Sequence, residues 1–220
     1  MSISGISNYT IPQIQALSTR DIRSLDATEV ASLSSDQLNA MYPEQIAAIG
    51  PDEFKSISAP KVAALSVDQI FNLITDQIAA MGSGQVGALN SAQLSGLTSD
   101  SVEVSKLTTE QLSNLTTAAL SGLRTDQINV MGSDQLQSLS VPQIKALSTS
   151  NIKALTSVQV ASLTGDQVGA LSSAQLAAID DADYAAMTSI QLNGLKNSQI
   201  QTLGTAKIAA LTSDQVGVLP

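Results

Sequence analysis

The side chains in this sequence that could do chemistry stand in two regular rows. One row is glutamine: Gln37, Gln45, Gln69, Gln77, Gln85, Gln93, Gln127, Gln135, Gln167 and Gln215. The other row is serine or threonine and lies, in most cases, three residues before a glutamine: Ser34, Thr98, Thr108, Thr156, Thr164 and Thr212. Amides and hydroxyls donate and accept hydrogen bonds. Exposed glutamines could therefore bind a glycan or a neighbouring fibre, and exposed hydroxyls could bind ice or carry sugars.

The spacing between the two rows favours a local structural role. In a capping box, a Ser or Thr hydroxyl accepts from an early helical N–H, and a Gln three residues later returns to the cap. The sequence predicts such boxes at four pairs: Ser34 with Gln37, Thr108 with Gln111, Thr164 with Gln167, and Thr212 with Gln215. Most of the two rows is therefore predicted to cap helices.

The densest acidic group is the third candidate site. Asp180, Asp181 and Asp183 supply carboxylate oxygens of the kind that hard cations prefer. No glycine-containing EF-hand loop surrounds these residues, so the sequence predicts no metal site. The chain has no Cys and no His, and no nucleophile motif frames its serines or lysines. We therefore expect no catalysis, no cofactor and no small-molecule substrate.

Composition narrows the remaining partners. The net charge of −9 repels phosphate backbones, so nucleic acid is not an expected partner. No run of eighteen apolar residues occurs, so membrane insertion is not expected either. Aromatic residues make up only 2% of the chain. The core is therefore predicted to be thin and aliphatic.

An eight-residue repeat organises all of these positions. Its consensus is L-[ST]-x-D-Q-[IVL]-x-[AG], and we number its positions one to eight from the leading Leu. After a lead at residues 1–8, twelve units span residues 9–106, and the last of them, LTSDSVEVSK, has ten residues. Fourteen more units span residues 107–218, and residues 219–220 begin another. We expect the 26 units to form one continuous solenoid.

Each octad is predicted to form one short helix. Capping residues recur every eight residues, and in a single long helix the apolar stripe would rotate by about 80° per unit. Isolated helices this short are unstable, so they must stack. The predicted fold class is all-α: an elongated solenoid of capped helices of one to two turns each. Its core is predicted at positions one and six, as at Leu33, Leu38, Ile78, Met81, Leu107, Leu112, Ile128, Leu136, Ile144, Leu163, Val168 and Leu211.

Octads such as LTSDQVGV, LSSAQLAA and LITDQIAA resemble repeat tracts of large bacterial secreted or cell-surface proteins. The resemblance covers the chain from about Tyr9 onward. It implies an extracellular or surface setting with a structural or adhesive role, although the sequence has no recognisable adhesive head. No cleavable signal peptide opens the sequence, so export would need another route or a signal outside it. A cytoplasmic location stays open.

The repeat itself predicts a structural scaffold, either a stalk or spacer or a self-assembling fibre subunit. Its expected partners are other copies joined end to end, or neighbouring repeats of a longer chain. The alternative is a solenoid module that binds a protein or glycan, as in adhesion. The irregular unit around Glu103 to Lys106 could be a hinge or docking point, although a neutral two-residue insertion is favoured.

Overall fold

The computed structural model describes residues 5–97 and 104–220 and contains twenty-five short α-helices there. The helices of the first part of the chain are α1 Ile11–Gln15, α2 Thr19–Ile22, α3 Ala27–Ser32, α4 Ser35–Ala40, α5 Pro43–Ala48, α6 Pro51–Lys55, α7 Ala59–Ala63, α8 Val67–Phe71, α9 Thr75–Ala80, α10 Ser83–Gly87, α11 Ser91–Gly96, α12 Thr109–Ser113 and α13 Thr117–Leu120. The others are α14 Thr125–Asn129, α15 Ser133–Ser138, α16 Val141–Ala146, α17 Thr149–Lys153, α18 Ser157–Ser162, α19 Gly165–Ala170, α20 Ser173–Ala178, α21 Asp181–Ala185, α22 Ser189–Asn193, α23 Asn197–Ile200, α24 Thr205–Ala209 and α25 Ser213–Gly217. Two 3-10 segments, Ile6–Asn8 and Val104–Lys106, complete the secondary structure of the described residues.

Every eight-residue unit contains one helix, which begins at position three of the octad. The residue at position two is the N-cap and has an extended backbone, as at Ser34 with φ −72° and ψ 163°. All prolines except Pro220 occupy the first or second helical position, where a missing N–H costs no helical bond, as at Pro43 and Pro51. The predicted fold class, an all-α solenoid of very short capped helices, is confirmed.

The chain divides into two compact units, Met1–Gly122 and Leu123–Pro220. Within each unit, a helix packs against the third helix further along the chain, as α6 does against α9 and α17 against α20. Near the ten-residue repeat, α9 instead packs against Val104–Lys106, and α10 packs against α12. Neighbouring helices are thus three octads apart in sequence, and hydrogen bonds from Gln77 reach carbonyls 28 and 31 residues earlier, so each turn of the solenoid contains between three and four octads.

The core consists of positions one and six of successive octads. Of the described residues at these positions from Leu25 to Leu195, none is more than 5% exposed. The twelve residues predicted as core, from Leu33 to Leu211, are all buried. In the described ranges, no helix is long and apolar enough to span a membrane.

The phase of the repeat is restored at Val104, before the ten-residue unit ends. Val104 is fully buried, and its carbonyl accepts from the N–H of Leu107 at 3.0 Å. In a regular octad the same bond runs from the N–H of Met41 to the carbonyl of Leu38, three residues earlier. The two additional residues therefore precede Val104. Thr98 and Glu103 lie outside the described residues.

Candidate functional site: a glutamine ladder between turns

The glutamine side chains close the predicted capping boxes. In α4, the N–H of Ser34 donates to Gln37 Oε1 at 2.8 Å, and the N–H of Gln37 donates to Ser34 Oγ at 3.1 Å. The same reciprocal pair joins Thr108 to Gln111, Thr164 to Gln167, and Thr212 to Gln215. The bond to the glutamine oxygen persists where position two has no short acceptor, as at Ile74, whose N–H donates to Gln77 Oε1 at 3.0 Å.

The other end of each amide reaches into the preceding turn of the solenoid. Gln77 Nε2 donates at 2.8 Å to the carbonyl of Ile46, 31 residues earlier, and at 2.8 Å to the carbonyl of Ile49, 28 residues earlier. These acceptors lie at the C-terminal end of α5, where carbonyls lack the i+4 partner of a helix interior, and the carbonyl of Ile46 also accepts from the N–H of Ile49 at 3.2 Å. One side chain therefore caps the start of its own helix and the end of a helix one turn away.

This double bond pattern repeats through both units. We call the glutamines that donate through Nε2 to the preceding turn the glutamine ladder: Gln37, Gln45, Gln69, Gln77, Gln85, Gln93, Gln111, Gln159, Gln167, Gln175, Gln191, Gln199 and Gln215. All except Gln215 are buried. The surroundings fix the orientation of each amide, because Nε2 faces carbonyl oxygens and Oε1 faces an N–H.

The glutamine ladder keeps its register across the ten-residue repeat. Gln111 Nε2 lies 3.3 Å from the carbonyl of Ile78 and 2.6 Å from that of Met81, which are 33 and 30 residues earlier. Both separations exceed those at Gln77 by two, but the octad positions of the acceptors are unchanged. The two additional residues are thus absorbed without breaking the pairing between turns.

Sequence reasoning found the capping role of these glutamines but missed their bonds between turns. It also missed the role of the N-terminal lead. Ile6 is 1% exposed, and Gln37 Nε2 donates to the carbonyls of Ile6, Ser7 and Tyr9. Ile6 stands eight residues before Ile14, so the spacing could have identified the lead as a degenerate octad.

Lysine or asparagine replaces glutamine at some positions and keeps the donor. Lys207, at position five, donates through Nζ to the carbonyl of Ile179, 28 residues earlier. Lys61 donates to the carbonyl of Ala31 at 2.7 Å, and Asn151 donates to that of Leu123 at 3.0 Å. Three different side chains thus supply the donor to the preceding turn, although Glu53, Ala119 and Asp183 show that position five can also be occupied by a residue without one.

Acidic residues occupy position five in the octads of α2 and α3. Asp21 Oδ2 accepts from the N–H of Ser18 at 3.0 Å, and Glu29 Oε2 accepts from the N–H of Asp26 at 2.9 Å. The hydrogen bonds from Ser18 lower the pKa of Asp21. Carboxylates thus retain the capping bond but have no proton to donate to another turn.

Inside the solenoid, an acidic residue stands at position five directly before each of the two aromatic core residues. Glu53 precedes Phe54 and Asp183 precedes Tyr184, and both rings are fully buried. Burial raises the pKa of Tyr184 to about 12. Within the described residues, the Tyr184 hydroxyl is the buried side-chain polar atom that has no hydrogen-bond partner.

The acidic cluster in α21 contacts neighbouring turns. Asp181 Oδ1 lies 3.2 Å from Lys207 Nζ, and Asp183 accepts a hydrogen bond from Ser157. Asp180 is the N-cap of the helix. Over the described ranges, no three acidic residues are grouped closely enough to hold a metal ion. Two of the three aspartates therefore interact with side chains of other helices.

Glycines allow the closest approach between turns. A Cβ added at Gly169 would meet the carbonyl oxygen of Gly194, and one added at Gly194 would meet that of Gly165. Since α19 and α22 pack against each other, their backbones are in direct contact at these residues. The small residues are thus required by packing at these sites.

The comparisons with known proteins agree with a repeat-based assignment. The model of the ALTTAQ repeat matches five segments, residues 14–51, 57–91, 104–141, 142–173 and 185–220. No curated protein matches the chain. The matched segments cover well over half of the sequence and include most of the glutamine ladder. The chain therefore belongs to the ALTTAQ repeat family.

Proposed function

We propose that this structural repeat protein is a scaffold that sets a distance, as a stalk or spacer, in a bacterial extracellular or cell-surface structure. The observation that supports this role is the glutamine ladder. Its buried amides direct both their donors and their acceptors to the solenoid itself, so the most regular polar groups of the chain are used to join turns. Such a role needs no catalysis, cofactor or metal.

The regularity of the repeat suits a spacer because each octad is stabilised by the same contacts. Stability in such arrays is approximately a sum over repeats and their interfaces. Octads can therefore be added or lost without changing the chemistry of the rest. The location at the bacterial exterior is proposed from the resemblance of the octads to repeat tracts of secreted and surface proteins.

Two other roles are less well supported. A self-assembling fibre subunit would join copies end to end, which requires complementary ends. A binding module for a protein or glycan would need clustered recognition side chains on its surface. Phe54 and Tyr184 are buried in the core, whereas Tyr42 and Phe71 are each 48% exposed. Two of these four aromatic residues are therefore already used in packing.

Small-angle X-ray scattering of length variants tests the spacer. Seven octads make about two turns of the solenoid, and packed helices lie about 8–10 Å apart. Deleting residues 131–186 should shorten the maximum dimension by roughly 16–20 Å, and duplicating them should lengthen it equally. A maximum dimension that does not change with the number of octads would refute the spacer role.

Negative-stain electron microscopy across a concentration series separates the spacer from the fibre. Discrete particles of monomer mass at all concentrations are expected for a spacer. Fibres of uniform width that lengthen with concentration would instead establish a fibre subunit. Light scattering on the same samples provides the mass.

A further inference from the structure

Ala119 interrupts the glutamine ladder. It stands at position five of the octad at residues 115–122, where α13 packs against α11 of the preceding turn. Its methyl group can neither accept from an N–H nor donate to a carbonyl. Among the described residues, no side chain from 116 to 122 makes a hydrogen bond to the preceding turn. This octad therefore lacks the polar link that Gln111 supplies one octad earlier.

The octad before shows which backbone groups such a link engages. Gln111 Oε1 accepts from the N–H of Thr108 at 2.7 Å. Its Nε2 donates at 3.3 and 2.6 Å to the carbonyls of Ile78 and Met81. We call one such amide, together with these backbone groups, a rung. Each rung thus joins one donor of its own octad to two acceptors of the preceding turn.

The equivalent groups beside Ala119 lie eight residues further along the chain. They are the N–H of Thr116 and the carbonyls of Val86 and Leu89. Within the described part of the chain, the N–H of Thr116 and the carbonyl of Leu89 have no hydrogen-bond partner. The carbonyl of Val86 accepts only from backbone N–H groups of its own turn, among them that of Leu89 at 3.1 Å. Ala119 is 0% and Leu89 2% exposed, and backbone groups at such depth are normally paired.

The space that a glutamine amide fills elsewhere is not closed by the backbone. A Cβ added at Gly122 would meet the carbonyl oxygen of Ser91, and one added at Gly194 would meet that of Gly165. Both pairs stand at positions eight and three, and the octad of Gly194 has a complete rung. The turns therefore approach each other closely both with and without the amide. Alanine is smaller than glutamine by a –CH2–CONH2 group, which has the size of acetamide.

The three backbone groups select the chemistry of a ligand. A carboxylate has no proton to donate to the carbonyl of Leu89, and an ammonium ion cannot accept from the N–H of Thr116. A primary carboxamide does both with one planar group. It is also neutral, so its burial leaves no unpaired charge.

We propose that the octad at residues 115–122 holds a binding site for a small primary carboxamide, which takes the place of the missing glutamine side chain. The ligand oxygen accepts from the N–H of Thr116, and the ligand amide donates to the carbonyls of Val86 and Leu89. The aliphatic end of the ligand lies against Ala119. Thr116 is itself exposed, so the site is one side chain away from solvent. The site goes beyond the scaffold role and does not depend on it.

Nuclear magnetic resonance with acetamide tests the site. The full chain is labelled with nitrogen-15 threonine, and the amide signal of Thr116 is identified by its loss in Thr116→Ser, which keeps the N-cap hydroxyl. Acetamide should shift this signal saturably, with half-saturation at roughly 1–100 mM, as expected for a ligand of so few atoms. The amide of Thr108, which is already bonded to Gln111, should not shift in the same titration.

A control ligand and a control variant test the hydrogen bonds. N,N-dimethylacetamide keeps the acceptor but has no N–H to donate, so it should leave Thr116 unshifted. Ala119→Gln supplies the amide from within the chain, so acetamide should no longer shift Thr116 in this variant. Circular dichroism verifies that the variant is folded. The comparisons of the two ligands and of Thr116 with Thr108 need no variant.

A saturable shift of Thr116 that acetamide alone produces, and that Ala119→Gln abolishes, would support the site. Absence of saturation, equal shifts with both ligands or at both threonines, or a shift that persists in Ala119→Gln would each overturn it. A Thr116 amide that is protected from hydrogen exchange but does not respond to acetamide would mean that the rung binds water only, which also overturns the proposal. The scattering test of the spacer uses no ligand, so failure of either proposal can be recognised separately.

Discussion

Replacing Gln77 by glutamate removes the donors of one rung of the glutamine ladder while keeping the size of the side chain. Gln77 is 0% exposed and its Nε2 makes two bonds of 2.8 Å to the preceding turn. A carboxylate can still accept from the N–H of Ile74 but would set a second oxygen against two carbonyl oxygens. The substitution therefore breaks the link between turns and buries an uncompensated charge.

The size of the effect follows from these contacts. The two lost hydrogen bonds contribute about 0.5–1.5 kcal/mol each, and an unpaired buried charge raises the total loss to about 3–5 kcal/mol. We expect Gln77→Glu to lower the free energy of unfolding at pH 7 by about this amount. Urea unfolding followed by circular dichroism measures the loss, and hydrogen exchange at α5 and α9 localises it.

The loss should depend on pH with a definite sign. Burial between carbonyl oxygens raises the pKa of the introduced carboxyl in the folded state above its unfolded value of about 4.3. The protonated form is then favoured by folding, so the deficit is smallest below the unfolded pKa. It grows as pH rises through that value towards the folded pKa. Measurements at pH 3.5 and pH 7 test this direction.

Gln13→Glu is the matched control. Gln13 is exposed, and its Oε1 accepts from the N–H of Thr10 at 2.8 Å, a bond that glutamate retains. The next two octads naturally carry Asp21 and Glu29 at this position. Gln13→Glu should therefore change stability by less than about 0.5 kcal/mol. Equal losses for Gln13→Glu and Gln77→Glu at pH 7 would refute the role of the glutamine ladder in joining turns.

Three further predictions concern packing. Tyr184→Phe should stabilise the chain by about 1 kcal/mol because it removes an unpartnered buried hydroxyl. The wild-type tyrosine should lower stability as pH rises from 10 to its folded pKa of about 12, and the variant should lack this loss. Urea unfolding at pH 7 and pH 11 measures both effects. Gly194→Ala should destabilise by about 1–3 kcal/mol, since its Cβ would meet a carbonyl oxygen of α19. Gly84→Ala, whose Cβ meets nothing within 4 Å, should instead stabilise its helix by up to about 1 kcal/mol; similar thermal shifts for the two would contradict this account. Ile128→Asp should unfold its part of the solenoid because Ile128 is fully buried, whereas Asn129→Asp at an exposed position should be nearly neutral. Equal tolerance of both substitutions in hydrogen exchange would argue against a core at positions one and six.

Local regularities in the sequence were enough to predict the helices. The pair Ser34 and Gln37 predicts a helix start because the capping box involves only residues within four positions of each other. Leu33 and Leu38 predict burial because positions one and six are apolar in unit after unit. The 3-10 character of Ile6–Asn8 and its place in the first turn were missed, because a single degenerate octad lacks the capping residues that mark the others.

The sequence by itself thus determined the repeat, the capped helices and the identity of the aliphatic core. Only the tertiary structure decided which helices are neighbours, because packing of a helix on the third helix further along depends on how successive short helices rotate about a common axis. That arrangement brings Gln77 Nε2 to carbonyls 28 and 31 residues earlier. The capping motif in the sequence involves only the Oε1 end of the amide. The Nε2 bonds to the preceding turn depend on how the turns stack, so only the tertiary structure shows them.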